Sequence, residues 1–589
     1  MYYQFGSKKT KWLPYLLLLP GLLFYFIISL GPSIATAFYS LTDATGIKGA
    51  TVNWVGLANY REFLFMGRAS ADNLAALQRT LIFCLAVTLI QFTLGLFIAL
   101  LVNQKLKGTN LFRTIYFMPV ILGAVIQGLM WRLFLYPLGG PASKLLALFG
   151  LSSEFLGGQP SEAFAWVIFI QIWANMGTTM MIFIAGLQTI PSEMYEAATI
   201  DGASTWQVFR NITWPLLTPS VNTNLLLNII GSLQAWQLFL VLVGYRNGTQ
   251  VLGYLIYATG FVQTSGSTSS SFRQLPAGLR RCRIHHSVLI GPGHWYVSAI
   301  YSTTQRTEDF RMISQAKVNK KIKWGKVGSY AVLIILALLY LGPLFMLVNT
   351  SLKTMPSFMK DATSLATEFK LGNFVEAWNK ASFPKYLINS VLYTVSATFI
   401  YIITAVFIAF PIARKYIKFS GVFLTLFVIA LFLPPALIPQ FQLILNIGLY
   451  NNPIGYIMLF IVNPIGIVIL VNYIKTVPRE LDEAAALDGC GYFRFVWSIV
   501  LPLIRPALAT VVVMHSIGIW NEIIAPTIYL TNKDYYPITR GLIVFQGVYG
   551  SNWPLLAAAV LLLTMPMLVL FLVLQRYIVS GLTAGAVKG

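Results

Sequence analysis

The chain is 589 residues long, 57% hydrophobic and 10% charged, with a mean hydropathy of +0.71. A water-soluble chain carries roughly 25% charged residues, so that class is excluded. The net charge of +22 does not mark a nucleic-acid binder: lysine and arginine gather in short loops between apolar spans, as the positive-inside bias requires, and no basic face is interleaved with stacking aromatics.

Taken in chain order, the first apolar stretch runs from Leu13 to Leu30 and is too long for the h-region of a cleavable signal. It reads as a signal-anchor span. Apolar runs long enough to cross a ~30 Å hydrocarbon core then place spans over 13–39, 79–103, 112–136, 164–189 and 214–243. In the second half they fall over 328–349, 388–413, 420–446, 453–475, 503–530 and 553–578. The predicted fold class is all-α, a polytopic membrane protein of about 11–12 transmembrane helices in two pseudo-symmetric halves. Lys8, Lys9 and Lys11 put the N-terminus in the cytoplasm; Lys105, Lys107 and Arg113, and later Arg414, Lys415 and Lys418, mark further inside loops.

The densest basic cluster, Lys317, Lys320, Lys321, Lys323 and Lys326, should also face the cytoplasm. Five spans before it would leave it outside, so a sixth crossing is required between 244 and 316. The segment 264–308 does not supply one. It holds Arg280, Arg281, Arg283, His285 and His286, and burying three arginines at mid-bilayer costs several kcal/mol. A one-base shift of reading frame would resolve the conflict, since Arg-Ile-His-His-Ser-Val-Leu can be encoded so that the shifted frame reads Val-Ser-Ile-Ile-Leu-Phe-Leu. Across roughly 272–305 such a frame gives a largely apolar run of spanning length; a genuine polar periplasmic loop is the alternative, and the nucleotide sequence decides between them. Met312, followed by a basic stretch and a span, reads as the start of a once-separate unit, dividing the chain into 1–311 and 312–589.

An internal repeat is the most informative feature. The first half holds PSEMYEAATIDGASTWQVFRNITWPLLTPS from Pro191, and the second holds PRELDEAAALDGCGYFRFVWSIVLPLIRPA from Pro478. The offset is a constant 287 residues, pairing Glu196, Ala197, Ala198, Asp201 and Gly202 with Glu483, Ala484, Ala485, Asp488 and Gly489. Each copy falls in an inside loop between the fourth and fifth spans of its half. The pattern predicts a short helix with a low-profile alanine face, closed by a glycine turn and followed by a second short helix. Proline then opens the next span.

This spacing resembles the EAA motif, E-A-A-x-x-x-G-x(9)-I-x-L-P, of ATP-binding-cassette (ABC) importer permeases. Both copies keep the EAA and the glycine; the second keeps Leu501-Pro502 where the first has Trp214-Pro215. The segments WLPYLLLLPGLLFYFIISLGPSIATAFYSLTD, NTSLKTMPSFMKD and QRYIVSGLTAGAVKG are also similar to carbohydrate-uptake permeases of the maltose type. The likeness covers nearly all of the chain except 264–308. It implies a type I importer fold, with the first half like one permease subunit and the second half like its partner. It further implies a bacterial cytoplasmic membrane location with both termini cytoplasmic, and coupling loops that dock on a dimer of ATPase subunits. Glu196 and Glu483 would pair with basic groups there. ATP and magnesium would sit on those subunits, and an extracytoplasmic binding protein would deliver the sugar.

The chain itself has no GxxxxGK[ST] phosphate loop, since Gly325-Lys326 is followed by valine and lacks the upstream glycine. No enzymatic constellation stands out, and no cofactor or metal is expected on this chain. Cys84, Cys282 and Cys490 lie far apart without a CxxC. His285, His286 and His294 fall in the anomalous segment, and His515, alone among apolar residues, reads as a satisfied core histidine. Polar groups inside spans are candidates for the substrate path: Gln234, Trp236 and Gln237 recur approximately as Trp520, Asn521 and Glu522. Amides and an aromatic plate suit a sugar; helix–helix hydrogen bonding and interfacial anchoring are the alternative use of the same residues. The rival function is an ion-coupled secondary transporter of a small polar solute, for which Glu522 is the one coupling group in view.

Overall fold

The computed structural model describes residues 12–44, 51–67, 70–104, 106–136, 139–150, 160–244, 248–261, 324–380, 382–433, 436–549 and 552–586. The anomalous segment 264–308, the boundary at 311/312, Lys105 and the basic clusters at 8–11 and 317–323 lie outside the described residues. Among the described residues the regular structure is helical, apart from one isolated antiparallel bridge between Thr42 and Trp54. Helix is what hydrocarbon demands, because each backbone N–H and C=O must find its partner within the spanning segment.

The principal elements, in chain order, are α1 (Leu13–Ser40), α2 (Ser70–Val102), α3 (Thr109–Ile121), α4 (Ala124–Phe134), α5 (Pro160–Gln188), α6 (Ser192–Ile200), α7 (Thr218–Gln234) and α8 (Gln237–Leu242). The second half contributes α9 (Trp324–Ser351), α10 (Phe383–Arg414), α11 (Pro464–Ile474), α12 (Glu480–Leu487), α13 (Arg505–Trp520), α14 (Ile524–Tyr529), α15 (Ile538–Tyr549) and α16 (Trp553–Ala586). Among the described residues six helices are long and apolar enough to cross a membrane unbroken, and two bent pairs bring the number to as many as eight.

The other expected spans are interrupted. The rod predicted over 112–136 bends by 104° between α3 and α4. Pro119 and Gly123 disrupt the ladder there, and the Gln127 amide donates to the freed carbonyl of Leu122 at 2.7 Å and to that of Pro119, which also accepts the Leu122 N–H, at 3.1 Å. A side chain thus repairs a break that lipid would otherwise penalise. The span 214–243 divides into α7 and α8, and 503–530 into α13 and α14; 420–446 and 453–475 divide similarly, at 431–436 and 459–463. Hydropathy windows register apolar content and not continuity of the helix, so breaks leave no trace in them.

The first helix of each half is packed into the other half. Leu18, Tyr25 and Leu30 of α1 share a buried cluster with Tyr401, Ile408 and Ala409 of α10. A Cβ at Gly21 would lie 2.6 Å from the Ile408 side chain, so the two helices meet backbone to side chain. Reciprocally, α9 packs on α3 and α4: Tyr116 donates to the Leu333 carbonyl at 2.6 Å, and Ser329 to Gln104 at 3.1 Å. Each half therefore contributes one helix to the packing of the other. Within the first half a buried knot joins three helices, the Gln91 amide donating to Thr179 and Asn228 at 2.8 and 2.9 Å. Such interhelical bonds fix packing where apolar burial offers no preference between protein and lipid.

Candidate functional site

Both copies of the repeat fold alike. α6 and α12 end in the same motif, with the Ala203 N–H reaching back to the Ala198 carbonyl at 2.9 Å and the Cys490 N–H to the Ala485 carbonyl at 2.9 Å. Gly202 and Gly489 sit at φ +72° and +68°, with open space where a Cβ would be. The glycine is required here by the left-handed backbone and not by crowding. Each chain then makes a four-residue helix, Thr205–Val208 or Tyr492–Phe495, and a π-turn, Phe209–Thr213 or Val496–Val500. These pairs keep the offset of 287. Pro219 and Pro506 occupy the second positions of α7 and α13, as the sequence predicts. Between the stretch Tyr492–Leu503 and α13 the chain turns through 81°.

Of the residues singled out in the sequence, Glu196, Ala197, Asp201 and Gly202 are exposed, as are Ala484, Asp488 and Gly489, while Glu483 is half-buried. Ala198 and Ala485 are buried and seat the knobs on the body of the protein. Sequence reasoning overlooked the apolar tips. Ile200 and Leu487, equivalent residues, are each 86% exposed. Trp206 and Phe493, also equivalent, stand out beside them, as do Met194 and Leu481. Three apolar pairs in one register on an exposed face form the kind of patch that a partner covers. The signal was present as an apolar residue repeated on the helix face away from the buried alanine.

The two knobs are held differently. Arg414, closing α10, donates to the carbonyl of Val477 at 2.8 Å and forms an ion pair with Asp482 of α12 at 2.9 Å. Tyr416 donates to the second carboxylate oxygen at 2.5 Å. Burial pushes the Asp482 carboxyl above its usual range, with Tyr416 and Arg414 pulling it back. At the equivalent place the first copy has Tyr195, whose hydroxyl shares a hydrogen bond with Thr213 of its own repeat.

The expected substrate-path residues cluster around the helix breaks. Gln234 is exposed and Gln237 half-buried. Trp236 is buried, its ring 4.8 Å from that of Tyr257. Trp520 is buried against α16, donating to the Leu563 carbonyl at 3.3 Å. Asn521 donates across to the Ile121 carbonyl at 2.7 Å, tying the break in the second half to the break between α3 and α4. The Glu522 carboxylate accepts the N–H groups of Ile524 and Ala525 at 2.8 and 3.1 Å and so caps α14. His515 is buried with its ring 4.1 Å from Tyr401. Next to the breaks lies a half-open cavity of about 430 Å³ lined from both halves, by Arg132, Leu240 and Tyr257 and by Ile523, Thr527 and Arg540.

The family model described as "Binding-protein-dependent transport system inner membrane component" matches residues 91–269 and again residues 371–583. The chain belongs to that family. It carries the permease unit twice, in agreement with the duplicated knobs. The melibiose/raffinose/stachyose import permease protein MelC of Bacillus subtilis is 32% identical over 42% of this chain and 91% of its own length. The multiple sugar-binding transport system permease protein MsmF of Streptococcus mutans is 33% identical over 42% of this chain and 81% of its own. Among solved structures, a bacterial ABC transporter involved in the import of the acidic polysaccharide alginate matches with a TM-score of 0.41 and 20% identity, over 45% of this chain and 99% of that one. By its family and its apolar helices this permease is a multi-pass membrane protein of the ABC importer class.

Proposed function

We propose that this permease carries a sugar or oligosaccharide inward across the bacterial cytoplasmic membrane, with both termini in the cytoplasm and the halves divided as 1–311 and 312–589. The observation that carries the proposal is the pair of knobs, α6 and α12. They have the same glycine-closed end and the same exposed apolar tips, on a chain whose relatives bear the names of sugar permeases. A dimer of cytoplasmic ATPase subunits grips one knob each, through Ile200 and Leu487 and through Glu196 and Glu483. ATP and magnesium belong to those subunits; this chain binds no cofactor and performs no catalysis. A binding protein outside the membrane delivers the sugar.

Closure of the ATPases draws the knobs together, and the halves rock about their shared path. Because α1 is packed into the second half and α9 into the first, each lobe moves with a helix from the other and the two cannot separate. Secondary transport has no support in this geometry, since the carboxylate it would need, Glu522, already caps a helix.

The test is Gly202→Pro and Gly489→Pro, which force φ near −65° onto left-handed positions. Each should abolish co-purification of the ATPase and sugar-stimulated ATP hydrolysis. Normal stimulation in both variants would refute the assignment.

A further inference from the structure

The helix Gly372–Lys380 lies between the end of α9 and the start of α10, and it packs on α10 and α16. Two residues separate Lys380 from Phe383, so the helix ends within about 11 Å of the mouth of a spanning helix. At about 3.6 residues per turn its side chains fall on three faces. Asn373 and Ala377 are buried against the protein, and the Asn373 amide donates to the carbonyls of Ser351 and Lys353 at 2.8 Å each. Next to them Leu371, Val375 and Trp378 share an apolar face at the i, i+4, i+7 spacing, with Leu371 and Val375 64% and 62% exposed. The third face is polar and carries Glu376, Asn379 and Lys380, of which Glu376 and Lys380 form an ion pair at 2.5 Å. Phe369, just ahead of the helix, is 71% exposed.

We propose that this helix lies in the plane of the membrane interface, with its Leu371, Val375 and Trp378 face set into the lipid and its polar face toward water; under the orientation proposed above the leaflet is the outer one. The order of the faces decides the occupant. A helix lying flat on a bilayer beside its own protein needs protein on one side, hydrocarbon below and water above, in that sequence. A protein docking from the water phase would meet the polar face first. The apolar face also has a continuation, because Ile388, Val395 and Phe399 stand exposed on α10, a helix whose unpacked side meets lipid. Tryptophan suits the headgroup level, and the Trp378 ring rests 5.7 Å from that of Phe383 at the start of the span. Lys370 and Lys380 are exposed at the two ends, where long apolar stems carry a charge to the headgroups.

The experiment is nitroxide accessibility in the full chain, reconstituted in vesicles of phosphatidylcholine and phosphatidylglycerol. Cys84, Cys282 and Cys490 are replaced by serine, and a single label is attached through Val375→Cys or Glu376→Cys. Collision rates are compared for oxygen, which partitions into lipid, and for a neutral nickel chelate, which stays in water. The oxygen-to-nickel ratio at position 375 should exceed that at position 376 by about threefold or more, because an interfacial helix sets one face into the acyl boundary and leaves the other in water. Should Val375→Cys fail to reconstitute, Leu371→Cys carries the same comparison. Equal ratios at the two positions, or a higher ratio at position 376, would overturn the proposal. So would a water-like ratio at position 375 whose nickel collisions fall when the extracytoplasmic binding protein is added, since the face would then be a protein-docking surface. The measurement needs neither ATP nor substrate, so its failure leaves the sugar-import reading standing.

Discussion

Arg414 and Asp482 lie 2.9 Å apart with only 2% and 5% of their side chains exposed. They join the end of a membrane helix to one knob by a buried ion pair that the other knob lacks among the described residues. In the first copy Tyr195 occupies the corresponding position. Force applied to the second knob therefore passes directly into α10, while the first knob relies on its local packing.

Removing one partner strands the other as a buried charge. Arg414→Ala should destabilise the second knob by about 3–5 kcal/mol and uncouple ATP hydrolysis from transport, as read by thermal unfolding and by sugar-stimulated ATPase activity. Tyr195→Phe in the first copy should cost no more than about 1 kcal/mol. Equal effects of the two substitutions would contradict the asymmetry.

The same pair sets a pH dependence. Asp482 is held above the ordinary carboxylate value, chiefly by burial, so the folded state binds its proton more tightly than the unfolded chain. Its contribution is then greatest below the ordinary carboxylate range and declines as pH rises through the raised value. Unfolding monitored as the pH is raised from the ordinary carboxylate range should show this slope. Asp482→Asn should flatten it.

Exposed apolar tips predict a separation of docking from stability. Ile200→Ser with Leu487→Ser should leave thermal unfolding within about 0.5 kcal/mol of the unaltered chain, since surface substitutions rarely matter more. Co-purification of ATPase subunits should fall sharply. Retained co-purification would show that the ATPases grip elsewhere.

Gln127 repairs the break between α3 and α4 through two donated hydrogen bonds. Gln127→Leu should cost about 1–3 kcal/mol by orphaning the Leu122 carbonyl, and hydrogen exchange should rise locally at residues 119–127. An unchanged exchange pattern would show that the break is held by backbone geometry alone.

The alternation of apolar runs and basic loops was enough to give the all-helical membrane class and most span positions, because a bilayer core imposes length and apolarity locally. The repeat gave the knobs and their closing glycines, since a left-handed turn is written in a single residue type. Three things were decided only in the folded chain. The breaks at Gly123, Ala235 and Asn521 depend on side chains such as Gln127 and Glu522 that satisfy freed backbone groups, and no hydropathy window records them. The exchange of α1 and α9 between halves, and the meeting of Arg132 with Arg540 at one cavity, join residues hundreds of positions apart. In lipid, apolar helices have no hydrophobic reason to choose one neighbour over another. Shape, small residues and scattered hydrogen bonds make that choice, and those act only once the helices are side by side.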